Sequence, residues 1–357
     1  MNNVPNKHFF TKQLTAWHAT ENNRNLPWKN EPEPYKIWLS EVILQQTRAL
    51  QGLPYYLRFV DAFPTVKDLA AAKDEDAFRL WQGLGYYNRC KNMLATARYI
   101  TNELKGKFPT TYDTLLQLKG IGPYTASAIA SFAFGLPHAV VDGNVYRVLS
   151  RYFGIDTPFD TTEGKNIFST LAHELLETKD SAAYNQAIMD LGATVCTPGK
   201  PLCDQCPLQK KCFAFDRGLT DLLPVRSKKL KIRKRYFHYL LLLWNNTLWI
   251  HKRNGNDIWE NLYEPLLIED TEPIDLEKLI QCSFFKDNDI KYSSITYSGS
   301  YCQRLTHQQI ETRFFIVTLS KKPKIHLHDG LWVKTSELGK TAFPKTLVSF
   351  LENNLYF

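Results

Sequence analysis

Apolar residues recur at three- and four-residue spacing from about residue 8 to residue 195, the periodicity of α-helices that bury one face. Short turn-like segments interrupt this pattern at 63–64, 83–85, 120–123 and 142–143. We find no stretch in this half that alternates apolar and polar residues as a half-buried strand would. The pattern therefore predicts an all-α domain.

The pattern changes after about residue 236. Two apolar runs flank Asn245-Asn246, a sequence typical of a β-hairpin turn. Residues 275–285 have the spacing of one helix, and residues 296–319 again favour strands. We therefore predict a separate α+β domain over 236–357.

A dense run of lysine and arginine lies between the two predicted domains. Its cations are Arg226, Lys228, Lys229, Lys231, Arg233, Lys234 and Arg235. Such a run is typical of a solvated linker that can also contact a polyanion, rather than of packed core. The predicted organisation is a helical domain over 1–220, a basic linker over 221–235 and the α+β domain over 236–357.

Composition adds only weak constraints. Lysine and arginine number 44 against 36 acids among 357 residues, so the net charge is +8, which permits a polyanionic partner without requiring one. The N-terminal sequence has no apolar signal core, and the longest apolar run, 239–244, is too short to span a bilayer. We expect a soluble protein of a reducing compartment.

Four of the seven cysteines are concentrated in one segment with the spacing C-x6-C-x2-C-x5-C. These candidate metal ligands are Cys196, Cys203, Cys206 and Cys212. Four thiolates can hold a 4Fe-4S cluster, although a zinc ion or two disulfides could use the same residues. Zinc sites usually pair their cysteines in two short knuckles, whereas only the middle pair is that close here. The Pro- and Gly-rich loop has little core of its own, so we expect a metal to fold it.

A carboxylate stands within the apolar segment WLSEVILQQT at 38–47. Glu41 must lie either at the mouth of a pocket or in an interior where its charge is costly. Partial desolvation would raise its pKa and make it a proton donor near neutral pH.

A second carboxylate, Asp142, follows two valines and precedes an amphipathic helix. An N-cap would be sufficient to explain it. Alternatively, an ionised Asp142 would complete with Glu41 the pair of acids that breaks a sugar C1 bond through an oxocarbenium ion.

The segment LKGIGPYTA at 118–126 places Gly120 and Gly122 just before Pro123, a residue that suits the first turn of a helix. Amides at a helix N-terminus form an anion site, for which a phosphate diester is a plausible occupant. An ordinary tight turn between two helices is the alternative.

The motifs WLSEVILQQT, LKGIGPYTA and VVDGNVYRV, followed by the cysteine cluster, occur in this order. In this combination the chain resembles the helix-hairpin-helix base-excision glycosylases of the endonuclease III superfamily, and within it the adenine-excising MutY family. The resemblance covers nearly the whole chain. It implies an all-α helix-hairpin-helix domain with a 4Fe-4S loop, followed by an α+β domain similar to the MutT/Nudix fold.

The resemblance implies an enzyme that flips adenine, mispaired with 8-oxoguanine or guanine, out of duplex DNA and hydrolyses its glycosidic bond. Glu41 then matches the acid that protonates adenine N7, and Asp142 matches the carboxylate that stabilises the oxocarbenium ion. Tyr124 and Asn144 match residues that support these carboxylates. Because strand-cleaving relatives have a Schiff-base lysine at the position of Tyr124, we expect a monofunctional glycosylase.

The resemblance also implies contacts to DNA. Gln46 and Tyr86 match side chains that wedge into the duplex around 8-oxoguanine, with core packing as the alternative for Tyr86. The residues that match the wall of the adenine pocket are Arg24, Trp28, Lys29, Leu44 and Gln186. Lys29 stands where an arginine is common, and Gln186 stands where some members have a glutamate.

In the C-terminal domain, Leu305, Thr306 and His307 align with a loop that is Phe-Ser-His in some relatives and contacts 8-oxoguanine. The sequence has no glutamate-rich Mg²⁺-binding Nudix helix, so we expect this domain to recognise a nucleotide rather than hydrolyse one. The expected protein is a monomer that acts on double-stranded DNA in the cytoplasm, associated with the nucleoid if bacterial.

Three other interpretations stay open on the sequence. The first is a pyrimidine-damage glycosylase/lyase of the same fold, against which Tyr124 and the extra domain argue. The second is a non-catalytic iron–sulfur module that binds DNA or signals redox state. The third is a helical protein with a structural zinc.

Overall fold

The structure is a computed structural model that describes residues 6–29, 31–227, 232–255, 257–288, 290–305, 307–323 and 330–355. The chain forms two compact units. Residues 1–71 and 92–228 form the first, and residues 72–91 and 229–357 form the second.

Helices account for the regular structure of the first half, as the apolar periodicity predicts. In chain order they are α1 (Lys7–Thr20), α2 (Pro34–Leu44), α3 (Ala49–Ala62), α4 (Val66–Ala71), α5 (Asp74–Trp81), α6 (Asn88–Asn102), α7 (Tyr112–Leu116), α8 (Pro123–Phe134), α9 (Gly143–Phe153), α10 (Thr162–Leu175), α11 (Ser181–Thr194) and α12 (Phe213–Asp216). None of the helices in the described ranges combines the length and apolarity that a membrane crossing requires.

Helices α2 and α8 are buried on most sides and pack against each other. Both begin with a proline in the first turn, where the missing N–H breaks no helical hydrogen bond. The Gln45 side chain, which follows α2, donates to the Thr125 hydroxyl of α8 at 3.3 Å. This bond links the C-terminal end of α2 to α8.

One helical core joins α1, α9, α10 and α11. Its centre contains Phe10, Leu149, Phe168 and Leu191, each with no exposed surface. Helices α9 and α11 approach closely at Gly192, and this approach fixes the start of α9.

The second unit contains a mixed sheet. Its described strands are β1 (Arg233–Trp244), β2 (Thr247–Lys252), β3 (Tyr263–Glu264), β4 (Leu266–Asp270), β5 (Tyr292–Arg304), β6 (Gln308–Leu319) and β7 (Gly330–Lys334). The main order is β3-β2-β1-β6-β5, while β4 pairs with β1 and β7 pairs with β2. Strands β1 and β6 are parallel, and the other pairs are antiparallel.

Helix α5 also belongs to this unit. The later helices of the unit are α13 (Leu276–Ile280), α14 (Ser283–Asp287) and α15 (Lys345–Leu355). The predicted hairpin turn is confirmed, since Asn245 and Asn246 have φ angles of 45° and 57° between β1 and β2.

Two sequence predictions were wrong in detail. The single helix predicted over 275–285 is two short helices, and Gln281 caps the first of them. The basic run does not stay solvated to its end, because Arg233–Arg235 open strand β1 and only 5% of Arg235 is exposed. Acidic partners distant in sequence make that burial possible.

We expect Gly192→Ala to destabilise the helical unit by about 1–3 kcal/mol. A Cβ at this position would lie 2.6 Å from Asn144 Cβ and 3.0 Å from Asn144 Cα, so α9 or α11 must shift. Urea denaturation measures the loss. The matched control is Gly143→Ala, whose added methyl meets nothing within 4 Å; equal stability of the two variants would contradict this packing argument.

Candidate active site and cysteine-lined cavity

Glu41 is a buried acid on α2, with 7% of its surface exposed. Burial raises the pKa of Glu41 to about 7, a hydrogen bond from the Tyr124 hydroxyl opposes the rise, and the nearby charge of Asp142 adds to it. A carboxyl group with this pKa is partly protonated at neutral pH, as a general acid must be.

Tyr124 is hydrogen-bonded to Glu41 and lies near Asp142. It is the second residue of α8 and donates its hydroxyl hydrogen to Glu41. Burial raises the pKa of Tyr124, and the charges of Glu41 and Asp142 both raise it further. Three residues that are distant in sequence therefore meet at one site.

Asp142 is the N-cap of α9, and it is also part of this site. Its Oδ1 accepts from the backbone N–H groups of Asn144 and Val145, each at 2.8 Å, and its Oδ2 accepts from Asn144 Nδ2 at 2.7 Å. Burial raises the pKa of Asp142, while these three donors limit the rise. Donors aimed at both oxygens favour the ionised form.

A chain of hydrogen bonds runs from Asp142 to the cysteine segment. Asn144 Oδ1 accepts from Arg147 Nη2 at 2.8 Å, and Arg147 Nε donates to the Cys196 carbonyl at 2.6 Å. Arg147 Nη2 also donates to the Gly192 carbonyl at 2.6 Å. The position of Asp142 is thus tied to α11 and to the first cysteine of the cluster.

The candidate adenine-pocket residues converge on Asp190, whose side chain has no exposed surface. Arg24 Nη1 donates to it at 2.8 Å, Lys29 Nζ at 2.5 Å and Gln186 Nε2 at 3.1 Å. Asn22 Nδ2 adds a fourth bond at 2.7 Å. One buried carboxylate therefore fixes segment 22–29 against α11.

The remaining pocket candidates lie on neighbouring elements of the same unit. Trp28 packs edge-on against Tyr56 of α3, with ring centroids 5.2 Å apart. Leu44 is the last residue of α2, nearly one turn after Glu41.

The two wedge candidates have unusual backbones. Gln46 has φ 57° and Tyr86 has φ 49°, both in the left-handed region that side chains rarely adopt. Both are exposed, and 48% of the Tyr86 surface is accessible, so core packing of Tyr86 is excluded. Tyr87, in contrast, is 6% exposed and packs against Phe78.

The glycine hairpin directly precedes α8. Gly120 has φ 79°, and a Cβ there would lie 2.8 Å from Asn92 Cβ, so both its backbone and its surroundings require glycine. Gly122 is the N-cap of α8, with open space at its Cβ position. The hairpin therefore leads into the N-terminus of α8, the part of a helix that attracts anions.

All four candidate ligands line one cavity that is partly open to solvent: Cys196, Cys203, Cys206 and Cys212. None of the seven cysteines forms a disulfide. Among the described residues, no three His, Cys, Asp or Glu side chains converge closely enough to hold a single metal ion.

A buried cation lies beside this cavity. Arg151 is 3% exposed, and its Nη1 donates to Cys196 Sγ at 3.3 Å. Its other described bonds go to the carbonyls of Leu223 and Thr197. A guanidinium bonded to sulfur rather than to a carboxylate is compatible with an anionic thiolate centre.

The candidate 8-oxoguanine loop is the turn between β5 and β6. Leu305 N donates to the Gln308 carbonyl at 2.7 Å, and Arg233 N donates to the His307 carbonyl at 2.9 Å. His307 is exposed, and Thr306 lies outside the described residues.

Asp190, Arg147 and Arg151 are the polar residues that the sequence analysis missed. Asp190 stands four positions after Gln186, so helical spacing alone places both on one face of α11. Arg147 and Arg151 are also four residues apart, so the same spacing rule places both on one face of α9.

A comparison with protein families matches residues 39–171 to the HhH-GPD superfamily of base excision DNA repair proteins. The chain is 31% identical to an adenine DNA glycosylase of Buchnera aphidicola subsp. Schizaphis graminum, over 96% of this chain and 98% of the relative. It is 44% identical to the human adenine DNA glycosylase over 58% of this chain and 40% of that protein. Among solved structures, a thermostable thymine-DNA glycosylase superimposes with a TM-score of 0.55 at 27% identity, covering 59% of this chain and 97% of its own.

The raised pKa of Glu41 predicts a pH-dependent loss of stability. In the unfolded chain Glu41 titrates near 4.5, and in the folded chain it titrates at about 7. The folded state therefore binds the extra proton between these values, so this stabilisation is complete below 4.5 and is lost as the pH rises through 7.

Urea denaturation at pH 4.5 and pH 8 tests this expectation. The wild-type chain should lose about 3 kcal/mol more than Glu41→Gln across this interval, since the variant has no proton to lose there. Parallel pH profiles of the two proteins would show that the pKa of Glu41 is ordinary.

Proposed function

Because the chain belongs to the adenine DNA glycosylase family and is a DNA glycosylase of base excision repair, we propose that it excises adenine paired with 8-oxoguanine or guanine in duplex DNA. The observation that carries the proposal is the buried acid Glu41, hydrogen-bonded to Tyr124 beside the ionisable Asp142. The adenine must be flipped out of the duplex, because its glycosidic bond is inaccessible in the stack.

Glu41 acts as the general acid. With a pKa of about 7, a substantial fraction of the enzyme carries the proton at neutral pH. Transfer of this proton to adenine N7 neutralises the charge that develops on the departing base, so the C1′–N9 bond breaks more easily. The Glu41 carboxylate left behind can then accept a proton from the incoming water.

Asp142 stabilises the deoxyribose cation. Its two oxygens accept three hydrogen bonds from Asn144 and Val145, which favour the charged carboxylate. A fixed negative charge beside the oxocarbenium ion lowers the barrier without reorganising the site. The pair therefore divides its work, with one acid protonated and one ionised.

Tyr124 makes the enzyme a monofunctional glycosylase. Its phenol orients Glu41, and it has no amine that could attack C1′ and form a Schiff base. Water is then the nucleophile that completes the reaction, and the product is an abasic site.

The extruded adenine occupies a pocket bounded by Arg24, Trp28, Lys29, Leu44 and Gln186. Asp190 supports three of these residues through direct hydrogen bonds. Gln46 and Tyr86 project from exposed left-handed turns, a placement that suits side chains inserted between bases. The glycine hairpin at Gly120 and Gly122, which leads into the N-terminus of α8, binds a DNA phosphate.

The four cysteines hold a 4Fe-4S cluster. The cavity that they line, the buried guanidinium of Arg151 on Cys196 Sγ and the absence of disulfides support this assignment. When bound, the cluster supplies four metal–thiolate bonds that fold the segment 196–212.

The sheet-containing unit acts as a Nudix-like recognition domain for 8-oxoguanine. Leu305, Thr306 and His307 read the damaged base, and exposure of His307 supports this role. The enzyme works as a cytoplasmic monomer on double-stranded DNA, and its net charge of +8 suits such a polyanion.

Excision assays test the proposed chemistry. On duplexes with adenine opposite 8-oxoguanine, Glu41→Gln and Asp142→Asn should each lower the single-turnover rate at least 100-fold, the range of a lost acid or charge stabiliser. Duplex binding should survive in both variants. Activity on thymine glycol but not on adenine would favour the pyrimidine-damage alternative and refute the proposal.

Metal analysis tests the cluster. The purified full chain should be brown, with visible charge-transfer absorption and equal amounts of iron and acid-labile sulfide. Cys206→Ser should lose both the colour and the iron. Cys302→Ser changes an exposed cysteine outside the cavity and should keep them. Stoichiometric zinc in a colourless protein would exclude the assignment.

A further inference from the structure

Arg235 occupies a buried position at the start of β1, where it uses all of its hydrogen-bonding capacity. A guanidinium has five N–H groups in a rigid plane. Four of them bond two carboxylates: Nε and Nη2 donate to Glu269 at 2.7 and 2.6 Å, and Nη1 and Nη2 donate to Asp257 at 2.8 and 2.6 Å. The fifth goes from Nη1 to Gln308 Oε1 at 3.0 Å.

This arrangement leaves Arg235 little freedom to turn. Two bidentate carboxylates fix the plane of the guanidinium, and the ring of Phe237 lies 4.7 Å from its central carbon. Asp257 is held in turn by Arg253, whose Nη2 donates to it at 2.7 Å. The bond to Gln308 therefore originates from a rigid donor.

Gln308 is the residue that connects this network to the candidate 8-oxoguanine loop. It is the first residue of β6 and directly follows His307. Since arginine donates but cannot accept, the Gln308 amide must present its oxygen to Arg235, and its orientation is fixed. The Gln308 carbonyl also accepts from Leu305 N, which closes the turn.

From these contacts we infer that Arg235 and Gln308 are positioning residues for the loop 305–307, and that they set the preference for adenine opposite 8-oxoguanine over adenine opposite guanine. The inference rests on the proposed function of this loop. 8-Oxoguanine differs from guanine by an oxygen on C8 and a hydrogen on N7. Discrimination between the two bases therefore depends on hydrogen-bond donors and acceptors placed within a few tenths of an ångström. A loop closed only by backbone bonds would sample more positions than one anchored to a locked guanidinium.

The test uses Gln308 rather than Arg235, because removal of the arginine would also break its bonds to Glu269 and Asp257 and so would not isolate the bond to Gln308. Gln308→Leu removes only the acceptor at similar size, and Gln308→Glu restores an acceptor. The matched control is Gln309→Leu, since the neighbouring glutamine bonds Cys302 Sγ instead of Arg235. His307→Ala probes the loop itself.

For each full-length variant, the single-turnover rate of adenine excision is measured on duplexes with adenine opposite 8-oxoguanine and opposite guanine. The enzyme concentration is set first below and then above the level that saturates the duplex. Gln308→Leu should lower the ratio of the two rates about tenfold, as expected for one hydrogen bond to a charged group. The excision rate should fall only on the 8-oxoguanine duplex, and only at enzyme concentrations below saturation. Gln308→Glu and Gln309→Leu should keep the wild-type ratio, and His307→Ala should lower it.

The other possible results separate the anchoring role of Gln308 from the proposed function of the loop. If His307→Ala lowers the ratio but Gln308→Leu does not, the anchor is wrong and the proposed function of the loop stands. If His307→Ala leaves the ratio unchanged, the loop assignment fails and the anchor fails with it. Equal loss of excision on both duplexes in Gln308→Leu would indicate a general structural role and overturn the inference.

Discussion

The burial of one carboxyl group on α2 is the constraint on which the helical unit depends. Glu41 has a phenol and another carboxylate as polar neighbours, and its pKa rises for lack of water. This environment exists only because α2 and α8 are buried on most sides and pack against each other. The apolar residues around Glu41 thus stabilise the core and raise the pKa of Glu41 through the same contacts.

The N-terminus of α9 shows how the rest of the unit supports this site. Asp142 caps the helix, and Asn144 and Arg147 extend the cap toward α11 and the cysteine segment. Each member of this chain satisfies a buried polar group of the next, so displacement of one member leaves an unpaired donor or acceptor. The N-cap role and the proposed catalytic role of Asp142 are therefore compatible, because both roles use the same two carboxylate oxygens.

Much of the fold follows from local sequence. Helical periodicity located the helices of the first half, and Asn245-Asn246 located a hairpin, since both signals are set by near neighbours. Helix 275–285 was predicted too long because apolar spacing does not reveal where the chain turns. The burial of Arg235 could not be predicted, since its partners Asp257 and Glu269 come from other segments. Asp190 escaped notice for the same reason: its importance lies in the convergence of residues 22–29 on α11.

The left-handed backbones at Gln46 and Tyr86 limit which side chains these turns can carry during evolution. Branching at Cβ is strongly disfavoured at such φ angles, so valine, isoleucine and threonine are poor replacements whatever they would touch. Asparagine and glycine would relax the main chain, but they are too short for the insertion between stacked bases that we propose for these side chains. Only long, unbranched or aromatic residues combine sufficient reach with a tolerable torsional cost, so main-chain geometry restricts the choice at both tips before any contact with a nucleic acid.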